Sequence, residues 1–159
     1  MSFLKFFHWL AQTHIGIAMR DSTWGFAIVE IVHLVALAIF GGAILLLDLR
    51  FMGIGVTSQP ASRVAREFLP ITAGGAVVMF LTGSLLLASG PMRYYYNTPF
   101  RIKMCLFFFT VIAHFILQIT IARRDPERHG TTLGLKAAGA LSLLLWTGIG
   151  IAGRAIGYF

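Results

Sequence analysis

Acidic residues are scarce in this chain: six Asp and Glu among 159 residues, and only 12% of the sequence charged at all. Soluble domains carry charge on roughly a quarter of their residues, so this shortage excludes the ordinary water-soluble class. Cysteine is scarcer still. The single Cys105 excludes an intrachain disulfide, and its place inside an apolar run predicts a buried, inert thiol. The sequence lacks CxxC and CxxCH pairs, a P-loop, a glycine-rich dinucleotide fingerprint and a nucleophile elbow. Thiol redox, covalent c-type haem, nucleotide and serine-hydrolase chemistry therefore have no motif behind them. It also lacks internal repeats, low-complexity tracts and any long linker, which predicts one membrane domain over residues 1–159.

What the sequence has instead is hydrophobic side chains, 57% of the total, arranged in long runs. In lipid a lone segment can satisfy its own backbone polar groups only as a helix, so the expected fold is all-α: an integral membrane four-helix bundle. The spacing predicts spans over about 23–49, 61–89, 100–123 and 134–157. Ahead of them Phe3, Phe6, Phe7 and Leu10 recur at i, i+3, i+4 and i+7, the pattern of an amphipathic interfacial helix over about 3–20. A lysine, a short apolar core broken by His8 and no clear cleavage site argue against a cleaved signal peptide.

Turn signals punctuate the spans. Asp21 or Ser22 suits a helix cap, with Trp24 at headgroup level, and Asp48-Leu49-Arg50 places charge at the far water boundary. Ser58-Gln59-Pro60 opens the second span and Pro70 is placed to kink it. Gly90-Pro91 ends it, and the aromatic stretch through Tyr94, Tyr95 and Tyr96 reads as an interfacial belt. Residues 123–130 form a charged turn. In the fourth span Gly148, Gly150, Gly153 and Gly157 are expected to allow close helix approach.

Net charge is +7, but the basic residues lie between apolar runs rather than along one face, which points to membrane anchoring and away from nucleic acid. Four spans put both termini on one side. The loop side carries Arg50, Arg63, Arg66, Arg123, Arg124, Arg128 and Lys136, one basic residue more than the terminus side, so the loops are expected in the cytoplasm and the termini in the periplasm of a bacterial inner membrane.

Ionisable residues inside a membrane are costly and mark function or mutual pairing. Glu30, His33, Lys103 and Arg154 all fall in the half of the membrane nearer the termini. One expectation is that Glu30 pairs with Lys103 or Arg154; another is that the four line a polar site for a cofactor, an ion or a small substrate. His33 and His114 suggest axial ligation of haem b between two helices, although helix rise sets them about 6 Å apart in depth. A di-metal site lacks carboxylates near His114, which leaves a single copper or zinc ion on the histidines. His8, His14 and His129 are expected at the interface or in water.

The segments Val29-Glu30-Ile31-Val32-His33-Leu34, Asp48-Leu49-Arg50, Asn97-Thr98-Pro99-Phe100-Arg101-Ile102-Lys103 and Gly153-Arg154 resemble an uncharacterised family of short bacterial four-helix inner-membrane proteins. The resemblance spans nearly the whole chain, brings no activity with it, and emphasises Glu30, His33, Asp48, Arg50, Asn97, Lys103 and Arg154. His114 stands outside its motifs. A fainter similarity to copper-resistance membrane proteins and small cytochrome b-like bundles rests on histidine-bearing helices alone. Three functional readings follow: a haem-binding subunit of an electron-transfer or respiratory assembly; a non-redox scaffold or accessory subunit that oligomerises or joins a complex; and, with less support, a transporter or channel, for which no broken helix or inverted repeat is evident.

Overall fold

A computed structural model describes residues 3–55, 57–124 and 131–158. Two short helices, α1 (Phe3–Ala11) and α2 (His14–Asp21), precede two long ones, α3 (Gly25–Met52) and α4 (Ala61–Ser89). A single-turn-scale helix α5 (Pro91–Tyr96) then leads into α6 (Thr98–Ala122) and α7 (Leu133–Ala155). The four long helices, α3, α4, α6 and α7, are each long and apolar enough to cross a membrane. Helix α3 packs on α4 and α7, and α6 packs on the same two, so α3 and α6 stand diagonally across the bundle.

The outer surface confirms the solvent. Ile31, Phe80, Phe109 and Leu144 are each more than 60% exposed, an apolar coat suited to acyl chains. Cys105, expected to be buried, is part of that coat, because it faces outward on α6. Two apolar clusters fill the interior. One, near the loops, joins Leu47, Phe51, Val64, Ala65, Ile121 and Leu135; the other joins Ala36, Phe40, Ile44 and Met79, with Trp146 against it.

The single amphipathic helix expected over about 3–20 is broken in two. Thr13 donates a hydrogen bond to the Leu10 carbonyl (2.7 Å) and accepts one from the Gly16 amide (3.1 Å), ending α1 and capping α2. Phe7 meets Tyr95 with ring centroids 5.3 Å apart, so α1 lies on α5, and the tyrosine stretch is helical. Ser22 accepts from the Gly25 amide (2.9 Å), as a capping residue for α3 should.

Close helix approach occurs elsewhere than expected. A Cβ at Gly148 or Gly150 would meet nothing within 4 Å, whereas one at Gly139 would stand 2.8 Å from the Asp48 carbonyl oxygen and 3.1 Å from the Phe51 Cβ. Gly139 lies on the buried stripe of α7 with Leu135, Ser142 and Ile149, while Gly150 faces outward. The charged turn lies largely outside the described residues, including Arg128 and His129.

Candidate functional site

The site starts from a helix that runs farther than its sequence suggests. Helix α3 continues to Met52, so Asp48 is not at a water boundary but about 6 Å inside the helix end. It is fully buried, and neither carboxylate oxygen has a hydrogen-bond partner among the described residues. Arg50 is also buried, but residues two apart on a helix point to different faces. Its guanidinium instead donates twice to the Gln59 carbonyl, at 2.8 and 2.6 Å, and fastens the loop between α3 and α4.

Across the interface, the Ser142 hydroxyl of α7 lies beside the Asp48 carboxyl, in a geometry that falls short of a hydrogen bond. Ser142 and Thr110 share a groove between α6 and α7 with His114, which is 2% exposed and has both ring nitrogens unpartnered. The His114 ring stands edge-on to Trp146 at 6.1 Å. One turn further along α6, Gln118 lies beside His114; its amide donates one N–H to the Ala65 carbonyl (3.1 Å) and its oxygen accepts from Thr72 (2.9 Å). Asp48, Ser142, His114 and Thr110 thus form a buried polar interior on the loop side whose hydrogen-bonding capacity is unused.

An aromatic layer closes this interior toward the termini. Trp146 contacts Phe40 (5.3 Å) and Phe107 (6.1 Å) edge-on, one ring from each flanking direction. Beyond that layer lies a second polar group. His33 Nδ1 is 2.7 Å from the Thr82 hydroxyl, which is also 2.6 Å from the Val78 carbonyl. The carbonyl can only accept, so both contacts are satisfied when Thr82 donates to Val78 and accepts from His33 Nδ1–H. That leaves a lone pair on Nε2. Lys103 is close enough for its charge to act on the His33 ring, and its stem lies against Gly153, 3.6 Å from where a Cβ would be.

The expected pairing of Glu30 is not formed. Among the described residues the ion pairs are Arg20–Asp21 and Arg63–Glu67, both at the surface. Glu30 is exposed on α3, about 8 Å from the helix start, where its carboxylate can meet interfacial water. Arg154 is exposed too and lies over the Tyr158 ring at 5.3 Å. Asn97, by contrast, is a buried joint: its oxygen caps Phe100 (2.8 Å) and its amide donates to Ile156 (3.3 Å), tying the start of α6 to the end of α7.

His33 and His114 sit on the diagonal helices α3 and α6, one bonded to α4 and the other turned toward α7, with Phe40 and Trp146 between their levels. The room beside His114 is a groove of about 180 Å³ between α6 and α7, which His33 does not line. Among the described residues no three His, Cys, Asp or Glu side chains come together as metal ligands.

Sequence reasoning missed Ser142, Thr110 and Trp146 and read Asp48 as a boundary charge. A signal was present for one of them: Thr110, His114 and Gln118 recur at i, i+4 and i+8, a single polar stripe on an apolar helix.

Fold and site together define a small multi-pass helical membrane protein with a polar interior. The chain belongs to the family of unknown function DUF6644, whose model matches residues 6–159. No curated protein and no solved structure matches it.

Proposed function

We propose that this protein is a proton-exchanging membrane subunit, in which Asp48 and His114 take up and release protons within the loop-side interior. The observation that carries the reading is Asp48: both oxygens buried, neither partnered, with an unpartnered hydroxyl and imidazole next in line. A bare carboxylate in a membrane interior is strongly disfavoured, so this one holds a proton or a cation, and an acid that must gain and lose charge is suited to exchange. The Phe40, Phe107 and Trp146 layer stands on the terminus side of these groups and the Leu47, Phe51, Val64 and Ile121 cluster on the loop side, so exchange in this reading requires the bundle to open. In this reading the loops face the cytoplasm and the bundle serves an electron-transfer or respiratory assembly in the inner membrane.

Glu30 and Arg154 are exposed and, among the described residues, form no ion pair that would lock helices within one bundle. The test is a difference titration of proton uptake in detergent, wild type against Asp48→Asn. One exchangeable proton fewer in the variant is the expected result; identical curves would remove the proposal.

A further inference from the structure

The groove between α6 and α7 holds three hydrogen-bonding side chains that the fold does not use. Most hydroxyls in this bundle bond back to a carbonyl of their own helix: Thr120 to Ile116 (2.6 Å), Thr147 to Leu143 (2.8 Å), Ser84 to Phe80 (2.8 Å). Thr110 and Ser142 do neither this nor anything else, and both are buried. With His114 they place three unpartnered polar groups in a groove of about 180 Å³. Buried hydroxyls and imidazoles are normally satisfied, and leaving each one unmade costs stability, so their concentration at one groove points to a ligand.

The ligand's chemistry follows from the walls. Ala113 and Leu141 are exposed to the bilayer while Leu117 and Leu145 narrow the inner wall, so entry is sideways from lipid. His114 lies about 12 Å inside the loop-side end of α6, below headgroup depth. No lysine or arginine lines the groove, and Asp48 stands behind Ser142. A phosphate or a fatty-acid carboxylate would enter without a counter-charge and toward another acid. A neutral head bearing carbonyl or phenolic oxygens is matched instead, since a hydroxyl and an imidazole can each donate or accept. The volume admits a single-ring head with its tail left in the bilayer.

We infer that this groove binds a lipid-soluble quinone or quinol by its ring oxygens, through His114, Ser142 and Thr110. The inference deepens the proton-exchange reading, because it gives Asp48 and His114 a neighbour whose oxygens gain and lose protons, but binding itself needs only the groove.

Trp146, in contact with His114, is the built-in reporter. With Trp9 and Trp24 replaced by Phe, the protein in lipid nanodiscs is titrated with a one-isoprene benzoquinone and Trp146 fluorescence is followed. Saturable quenching is expected, weakened at least about tenfold by His114→Leu and by Ala138→Leu, which fills the groove without removing a polar group. A second filling variant, Ala113→Leu, guards against a fold defect in the first. Linear quenching that is equal in all four proteins, or full displacement by an equal concentration of a fatty acid, would overturn the inference. Asp48→Asn separates the two proposals: it should keep quinone quenching even where proton uptake changes.

Discussion

The Asp48 side chain on α3 and the Ser142 side chain on α7 lie side by side in the bundle interior, and neither makes a hydrogen bond among the described residues. Native interiors rarely leave an acid and a hydroxyl unused next to one another, and such a pair costs stability that function must justify. Replacing Asp48 with Val, an apolar residue only moderately larger than Asp, removes the unpartnered carboxyl from this tightly packed position. The expected outcome is a gain of about 1–3 kcal/mol, seen as a raised midpoint of thermal unfolding in detergent, together with loss of proton exchange. A lowered midpoint would mean that Asp48 has a structural partner.

Gly139 sets the distance between α3 and α7. A methyl group there collides with rigid backbone at Asp48, so Gly139→Ala should destabilise the bundle by about 1–3 kcal/mol. Gly150→Ala, which meets nothing within 4 Å, should be neutral or slightly stabilising through better helix propensity. The same thermal unfolding series reads both.

Gln118 holds α6 to α4 through the Ala65 carbonyl and the Thr72 hydroxyl. Gln118→Leu should cost about 1–3 kcal/mol, and Thr72→Val should recover part of that loss in the double variant, because the pair acts as one unit. Additive costs would show that the two side chains act separately.

Glu30 offers the opposite expectation. Exposed and outside any ion pair among the described residues, it should tolerate Glu30→Gln with a change in unfolding midpoint corresponding to less than about 0.5 kcal/mol. Loss of folded protein in that variant would restore the helix-locking role first expected for it.

The architecture was legible because apolar run length and turn chemistry are local properties: four spans follow from lipid's demand that each segment satisfy its own backbone. The site was legible only in part. His114 and Gln118 announce themselves as polar residues in an apolar helix, but Ser142 and Thr110 look like the many hydroxyls that bond to their own helix, and only the three-dimensional arrangement shows that these two do not. Asp48 was misplaced because charge near a predicted helix end reads as a boundary, and α3 runs on past it to Met52. Glu30, His33, Lys103 and Arg154 all fall in the terminus-side half of their helices, as helix rise implies, yet depth does not fix the direction in which a side chain points. Glu30 and Arg154 turn outward while His33 turns to Thr82.

The central claim is that Asp48 changes its protonation state inside the bundle. Infrared difference spectra between high and low pH, recorded in lipid on wild type and on Asp48→Asn, test it most directly. The account predicts a protonated-carboxyl band that grows as pH falls and is missing from the variant. Identical difference spectra for the two proteins would contradict it.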